Sequence, residues 1–535
     1  MPANETAFIW VPCLPVAVAV LASVIVWVAH LKGVAPRIAV ALELLVPVLV
    51  CGGLLAELVL VATLEGTVTL PEVGVTLAIS PMARLGLLAA NAALLGAVFF
   101  DWSQGADTPA YSVQPLWTLL AALLDSSLLA GALMVQDRAI MVLCVFGAAL
   151  VTSAAAITRP GVVLRHGYDD PERSMLARRL AGGIKHIAIA TPGTGLLLAG
   201  ALLMDRYALN LENRPLLQFA LGLMALGLMV RAGAAPFSAA SSDLVQAAPG
   251  SALLVLGAGG PAVLVAGLLM LAPQRDILAA SGVWAWPGAV GVLLAGMRAL
   301  AAARHALSVP VPVPVASVTD NSENNGGMTG RLEKHAYAAG PAADLIAATV
   351  ALQTGWALFG VLCGSQAGAV GAALVALNMA FAVPLLVTAY RYPAPAPVSQ
   401  ARGLRRAGLI VGAGSLLGLP LCGGFAGDMM IAQAASSAGG VWVALLLVGS
   451  GLTGAGWLAT LWAGASAAHG GNGTAPVSCA LEPQELCPPV ARPRHAWQII
   501  VHTLRSPARL LMLVLIGAQA VLFVLSAQIA DALWP

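Results

Sequence analysis

Gly222 to Pro249 reads GLMALGLMVRAGAAPFSAASSDLVQAAP, and this stretch decides how the rest of the chain is understood. It starts as an unbroken apolar helix pattern and places an arginine at Arg231. It then breaks at Gly233-Ala234-Ala235-Pro236 and runs through small polar residues to Asp243 before apolar character resumes at Ala248-Pro249. In a membrane such a sequence predicts a helix interrupted part-way with a charge beside the interruption. Irregular backbone is tolerated at that depth only when it is buried in protein or lines a wet cavity. A second stretch, SLLGLPLCGGFAGD from Ser415 to Asp428, has the same design: an apolar run, a break at Pro420, Gly423 and Gly424, and an adjacent charge. Paired Gly/Pro interruptions in two halves of a chain point to an ion path.

Composition admits no soluble alternative. Of 535 residues 59% are hydrophobic and 9% charged, with a mean hydropathy of +0.89, which defines an integral membrane protein. The opening MPANETAFIW lacks the basic leader of a cleaved signal, so the first apolar run is expected to stay as a helix. Apolar runs of membrane-crossing length predict fourteen spans, near 8–30, 38–63, 81–100, 113–135, 139–158, 184–204, 216–232 with its broken continuation, 249–272, 277–303, 342–363, 367–390, 404–435, 440–465 and 508–532.

Basic residues then test the parity. Loops after odd-numbered spans hold Lys32, Arg37, the run Arg159 to Lys185, Arg304, Arg331, Lys334, Arg391, Arg402, Arg405, Arg406, Arg492, Arg494, Arg505 and Arg509. Loops after even-numbered spans hold only Arg84, Arg138, Arg206, Arg214 and Arg275. The odd loops are therefore expected on the cytoplasmic side and both termini outside.

Three connections carry their own signals. β-branched alternation around Pro71, between Glu65 and Ser80, predicts an external hairpin. The Val/Pro and polar tract 308–330 predicts an extended cytoplasmic insertion. The last cytoplasmic loop, 469–494, leads into AWQIIVHTLRSPARL, a stretch suited to lying along the membrane surface. Cys479 and Cys487 share that loop, where a metal or disulfide role is the lesser expectation; Cys13, Cys51, Cys144, Cys363 and Cys422 read as ordinary thiols in apolar runs. No phosphate loop, CxxC, HExxH or nucleophile elbow occurs, so neither a cofactor nor a metal nor a catalytic site is expected.

Charges within spans cost about 2.5–3.5 kcal/mol each on insertion scales, so each calls for a partner or a purpose. Glu43 falls near a membrane edge and suits a solvated position. Glu57 and Asp125 lie deeper, where the structural alternative is a carboxyl protonated or hydrogen-bonded between helices. Lys185 and His186 begin the sixth span, and Lys185 follows a basic run that suits an interfacial position. Arg231 and Asp428 adjoin the two breaks. Guanidinium stays charged, so Arg231 can set a field or pair with a carboxylate but cannot relay protons, whereas an aspartate can titrate. These six, Asp428, Arg231, Asp125, Glu57, Lys185 and His186, are the candidate proton-path residues.

At the two breaks the sequence resembles the antiporter-like, proton-channel subunits of respiratory complex I, membrane-bound hydrogenases and multisubunit sodium/proton antiporters. The family's seventh-helix signature aligns without a gap with Arg231, Pro236-Phe237-Ser238, Ala240, Ser242-Asp243 and Ala248-Pro249. Its twelfth-helix pattern aligns with Ser415 to Pro420, Gly424 to Gly427 and Asp428. The resemblance implies an all-α fold of about fourteen transmembrane helices. It also implies two inverted five-helix repeats, spans four to eight and nine to thirteen, with helices 7 and 12 broken. The corresponding division is an N-terminal three-helix segment (1–110), a first repeat (111–275), a second repeat (276–466, with an insertion at 305–340) and a loop with a C-terminal helix (467–535).

The departures are specific. The family's fifth-helix glutamate falls near Ala149, leaving the seventh-helix cation without that partner. Its eighth-helix lysine or histidine falls near Pro261, and its eleventh-helix histidine and lysine fall near Met379 and Val383. The resemblance implies a membrane-arm subunit of a complex I-like or hydrogenase-like ion-translocating complex in a bacterial cytoplasmic membrane, partnered by other membrane-arm subunits. Its proton relay is expected to be incomplete and its role mainly structural. A free-standing secondary transporter, or a membrane partner of a soluble catalytic subunit in proton-driven inorganic-carbon uptake, is the alternative.

Overall fold

The computed structural model describes residues 3–29, 36–70, 74–105, 114–158, 170–207, 214–281, 283–308, 340–391, 399–469 and 507–533. The 308–330 insertion beyond Ser308, Cys479, Cys487, the loop 470–494 and the start of the membrane-surface stretch lie outside them, as does the side chain of Glu43.

Helices form nearly all of the described structure, because an apolar chain in lipid must satisfy its backbone within each segment. The first part comprises α1 (Ala3–Ala29), α2 (Pro36–Thr63), a hairpin of β1 (Gly66–Leu70) and β2 (Val75–Ile79), α3 (Pro81–Gly105), α4 (Gln114–Met134), α5 (Arg138–Ile157) and α6 (Asp170–Tyr207). Next come α7 (Arg214–Arg231), α8 (Ala239–Ala247), α9 (Pro249–Ala252), a π-helical stretch (Leu253–Gly259), α10 (Gly260–Leu271) and α11 (Arg275–Ser281). The remainder comprises α12 (Trp286–Ser308), α13 (Gly340–Leu362), α14 (Gln366–Arg391), α15 (Ser399–Leu416), α16 (Phe425–Ala438), α17 (Gly440–His469) and α18 (Pro507–Leu533).

Among the described residues eleven helices are long and apolar enough to cross a membrane, and α4 and α7 carry shorter apolar runs. Each expected span falls on a helix or a pair of half-helices. One boundary is corrected. The ninth span was expected from residue 277, but Arg275–Ser281 is a separate short helix continuing the preceding span, and α12 starts at Trp286. Pro287 in its first turn suits a helix start, where the missing N–H costs nothing.

The expected hairpin forms in antiparallel register from Gly66↔Ile79 to Leu70↔Val75. It docks on the end of α4, where the Gln136 N–H donates to the Thr76 carbonyl at 3.0 Å. Arg84 ties its base by donating to Glu65 at 2.9 Å and to the Leu64 carbonyl at 2.7 Å. Within the bundle, α13 is buried along its whole span and α14 nearly so, whereas α1, α17 and α18 turn most of their surface outward. Polar side chains in the middle of α13 and α14, such as Gln353, Thr354 and Asn378, therefore lie in protein.

Both interruptions are built the same way. After α7 the Ala234 N–H donates to the Met229 carbonyl at 3.2 Å and the Gly233 N–H to Val230 at 3.3 Å. After α15 the Leu419 N–H donates to Gly414 at 2.9 Å and the Gly418 N–H to Ser415 at 3.2 Å. Each pair is the Schellman closure, which satisfies terminal carbonyls with a left-handed residue just past the helix. That residue is Gly233 in one break (φ +74°) and Gly418 in the other (φ +63°).

The two glycines differ in surroundings. A Cβ at Gly233 would meet open space, whereas one at Gly418 would collide with the Asp428 carboxylate. Gly233→Ala is expected to cost about 1 kcal/mol for the left-handed backbone alone. Gly418→Ala should cost about 1–3 kcal/mol more through overpacking. Thermal unfolding of the purified variants in detergent checks the ordering; equal losses would mean Asp428 does not occupy that notch.

Candidate ion path at the helix breaks

At the first break Arg231 is the last residue of α7 and is 7% exposed. The C-terminal end of a helix carries roughly half a negative charge, so a cation there is favoured by position. Its Nη2 donates to the Val145 carbonyl on α5 at 2.8 Å. Asp125 on α4 is fully buried, and neither of its oxygens has a hydrogen-bond partner. Asp125 and Arg231 attract each other electrostatically without approaching to ion-pair distance. Ala149 on α5 is buried and apolar, as the sequence requires. The fifth-helix partner is absent, and the carboxylate that Arg231 senses is instead Asp125 on α4.

A cavity of about 30 Å³ opens beside Arg231, lined among others by His186, Ser241, Thr354 and Met379. That is room for water. Lys185, by contrast, turns away: its side chain is half exposed and pairs with Asp243 of α8 at 2.6 Å. The structure thus gathers Arg231, Asp125 and His186 and leaves Lys185 as an anchor at the rim.

Two further arginines hold α8. Arg298 on α12 donates to the Ser238 carbonyl and hydroxyl at 2.9 and 2.7 Å and to the Ser242 hydroxyl at 3.1 Å, and pairs with Asp344 of α13 at 3.2 Å. Arg391, the last residue of α14, donates to the Gln246 carbonyl near the C-terminal end of α8. Arg298 stands inside the apolar run LLAGMRALAA, and that charge in a span was the signal available for it.

At the second break the polarity is opposite. Asp428 lies in the first turn of α16, where the positive helix end favours an anion. Its Oδ2 accepts from Gln353 Nε2 at 3.0 Å, while its Oδ1 has no partner. Gln353 is the neighbour of Thr354 on α13, so consecutive residues of one buried helix face the Asp428 carboxylate and the cavity at Arg231. Farther along, the Ser415 hydroxyl faces Asn378 Oδ1 and Gln519 Oε1, each at 2.6 Å. One proton cannot serve two acceptors, and Gln519 Nε2 is without a partner. Rotating the Gln519 amide satisfies both contacts: Ser415 then donates to Asn378 and accepts from Gln519.

No family model matches the sequence, and no curated protein does. Among solved structures, one chain of respiratory complex I from Thermus thermophilus is 18% identical, with 98% of this chain and 99% of that one covered, at a TM-score of 0.61. A chain of the membrane-bound sulfane sulfur reductase, an archaeal respiratory membrane complex, is 16% identical over 99% and 100% of the two lengths, at 0.59. A chain of the Mrp complex from Dietzia sp. DQ12-45-1b is 16% identical over 100% and 98%, at 0.63. The chain shares the fold of these three chains. Identities this low establish the shared backbone and leave the chemistry to the residues.

Within that fold Pro261, Met379 and Val383 are buried and apolar, as the sequence indicated. What sequence reading missed is the neutral polar set on the central helices: Gln353, Thr354 and Asn378, with Ser415 and Gln519 beside them. Neutral side chains inside an apolar span raise no charge signal, and only the packing shows which of them meet. Asp125→Asn and Arg231→Met are expected to be non-additive by about 0.5–3 kcal/mol in a double-mutant cycle on unfolding in detergent. Additivity would show that the two charges do not sense each other.

Proposed function

We propose that the chain carries ions, most simply protons, across a membrane as one subunit of a multisubunit complex. The observation that carries this reading is a pair of buried carboxylates with unpartnered oxygens, Asp125 and Asp428, near the two helix breaks. Gln353 and Thr354 lie adjacent on a helix between the Asp428 site and the Arg231 cavity. Burying such carboxylates costs several kcal/mol unless something compensates, and a protein without use for them gains by replacing them with leucine. Asp428, Asp125 and Glu57 exchange protons, Arg231 holds the field at the first break, and His186 lines the water-sized space beside it.

The two Schellman closures support a division into two related halves, 111–275 and 276–466, after an N-terminal segment 1–110 and before 467–535. The Lys/Arg distribution supports both termini facing outward. The neighbours named above belong to complexes of respiratory or Mrp type. They support membrane-arm subunits as partners and a bacterial cytoplasmic membrane as the location.

A mainly structural role is the second reading, and the apolar residues at Ala149, Pro261, Met379 and Val383 favour it. The test uses liposomes carrying the chain with everything that co-purifies with it, energised by a potassium diffusion potential, with internal pH followed by a dye. Asp428→Asn is expected to slow proton flux at least about tenfold with assembly intact. Unchanged flux overturns conduction in favour of the structural role. The co-purifying chains separate the remaining alternatives: several redox or antiporter subunits support the proposal, one large soluble zinc protein indicates inorganic-carbon uptake, and flux by the chain alone indicates a free-standing transporter.

A further inference from the structure

Glu57 on α2, Asn91 on α3 and Ser126 on α4 meet in the N-terminal part of the bundle, and all three are buried to within 2%. The Ser126 hydroxyl contacts Glu57 Oε2 and lies 2.8 Å from Asn91 Oδ1. This is a row of three oxygens: carboxyl, hydroxyl, amide carbonyl. Two hydrogen bonds along it require two protons. Ser126 supplies one and a carbonyl supplies none. The second comes from Glu57, as a carboxylic acid donating to Ser126 while Ser126 donates to Asn91, or from the Asn91 amide rotated to present its NH2, with Ser126 then donating to an ionised Glu57. If Glu57 ionises, Ser126 turns its proton back toward the carboxylate and the Asn91 amide rotates to present its NH2. The hydroxyl therefore has two positions that follow the protonation of Glu57.

The neighbouring charges make this more than a packing detail. Glu57 Oε1 has no partner, and no cation contacts the carboxyl among the described residues. The residue before Ser126 on α4 is Asp125, which feels Arg231. α3 contributes the neutral Asn91. α1 approaches α4 through the Ser127 hydroxyl, which donates to the Pro12 carbonyl, and brings no charged side chain among those described. Asp125 is the titratable residue next to Ser126 on α4, with no hydrogen bond reaching its carboxylate.

We propose that Glu57 is a proton-exchanging site, and that α4 joins it to the first helix break through Ser126 and Asp125. The three N-terminal helices are then part of the ion path and more than a scaffold outside the two halves. The exchange moves one proton: neutral Glu57 and ionised Asp125 become ionised Glu57 and neutral Asp125. An O–H bond breaks at one carboxyl and forms at the other, with nothing oxidised or reduced. The inference rests on the conducting reading above and extends it to a segment that the two breaks do not include.

Infrared spectroscopy of the purified chain in lipid, combined with the same liposome flux, tests it. Wild type should show a protonated-carboxyl C=O band that Glu57→Gln removes and Ser126→Ala shifts, because the acid loses its acceptor. Glu57→Gln should slow flux at least about tenfold, with partial recovery in Glu57→Asp. A spectrum unchanged by Glu57→Gln, or unchanged flux in that variant, overturns the proposal. If Glu57→Gln does not assemble, the band in wild type and its shift in Ser126→Ala decide the matter. Loss of flux in Asp428→Asn with normal flux in Glu57→Gln sinks this inference alone, whereas normal flux in both sinks the conducting reading itself.

Discussion

Hydrocarbon offers no hydrogen bonds, so a helix interrupted within a membrane must find partners for every backbone group it frees. Here the Schellman closures at Gly233 and Gly418 do so within the chain itself. The rest of the site depends on them. A closure that uses its own carbonyls leaves the following residues free to turn, and the turn delivers α8 and α16 at defined positions beside buried neighbours. Arg298 and Arg391 then fix α8, while Asp428 lodges against Gly418 where any side chain would exclude it.

The breaks also expose helix ends of opposite sign, and the charges follow them. Arg231 terminates α7, and Asp428 opens α16. Each terminus is worth roughly 0.3–1 kcal/mol at a surface and up to about 2 kcal/mol where partly buried. That falls short of the several kcal/mol needed to desolvate an ion, so local partners supply the difference. Arg231 has the Val145 carbonyl and the field of Asp125; Asp428 has the Gln353 amide. The two sites are unequally served, since the arginine has a countercharge and the aspartate has only a dipole.

Much of this was legible in the residues. The expected apolar runs fall on helices or half-helices, eleven of them long and apolar enough to cross a membrane among the described residues, because length and hydropathy are nearly sufficient in a bilayer, and Gly/Pro punctuation located both breaks. The ninth span was misjudged at its start because Arg275–Ser281 and α12 read as one apolar run, with Pro287 an ordinary first-turn residue of α12 and no proline between them. The site was legible where it is charged and opaque where it is neutral. Gln353, Asn91, Asn378, Ser126 and Gln519 look like tolerated polar residues until helices distant in sequence bring them against Asp428, Glu57 and Ser415. The missing acid of the fifth span was legible at Ala149, whereas the interaction of Arg231 with Asp125 on the fourth is decided by helix packing and not by spacing.

The neutral centre bears on mechanism as much as on ancestry. A relay of titratable residues can store a proton at each step, so charge moves in short hops between sites of similar energy. Gln353 and Thr354 can store none; they can only orient water in the cavity at Arg231 and offer hydrogen bonds while a proton passes. Any proton crossing between the two carboxyls then has His186 beside the cavity as its one titratable stop among the cavity-lining residues, against a barrier set by the guanidinium of Arg231, which cannot lose its charge to make way. Neither Asp125 nor Asp428 lines that cavity, which has room for about one water, so a connection between the two acids needs more space than the cavity holds.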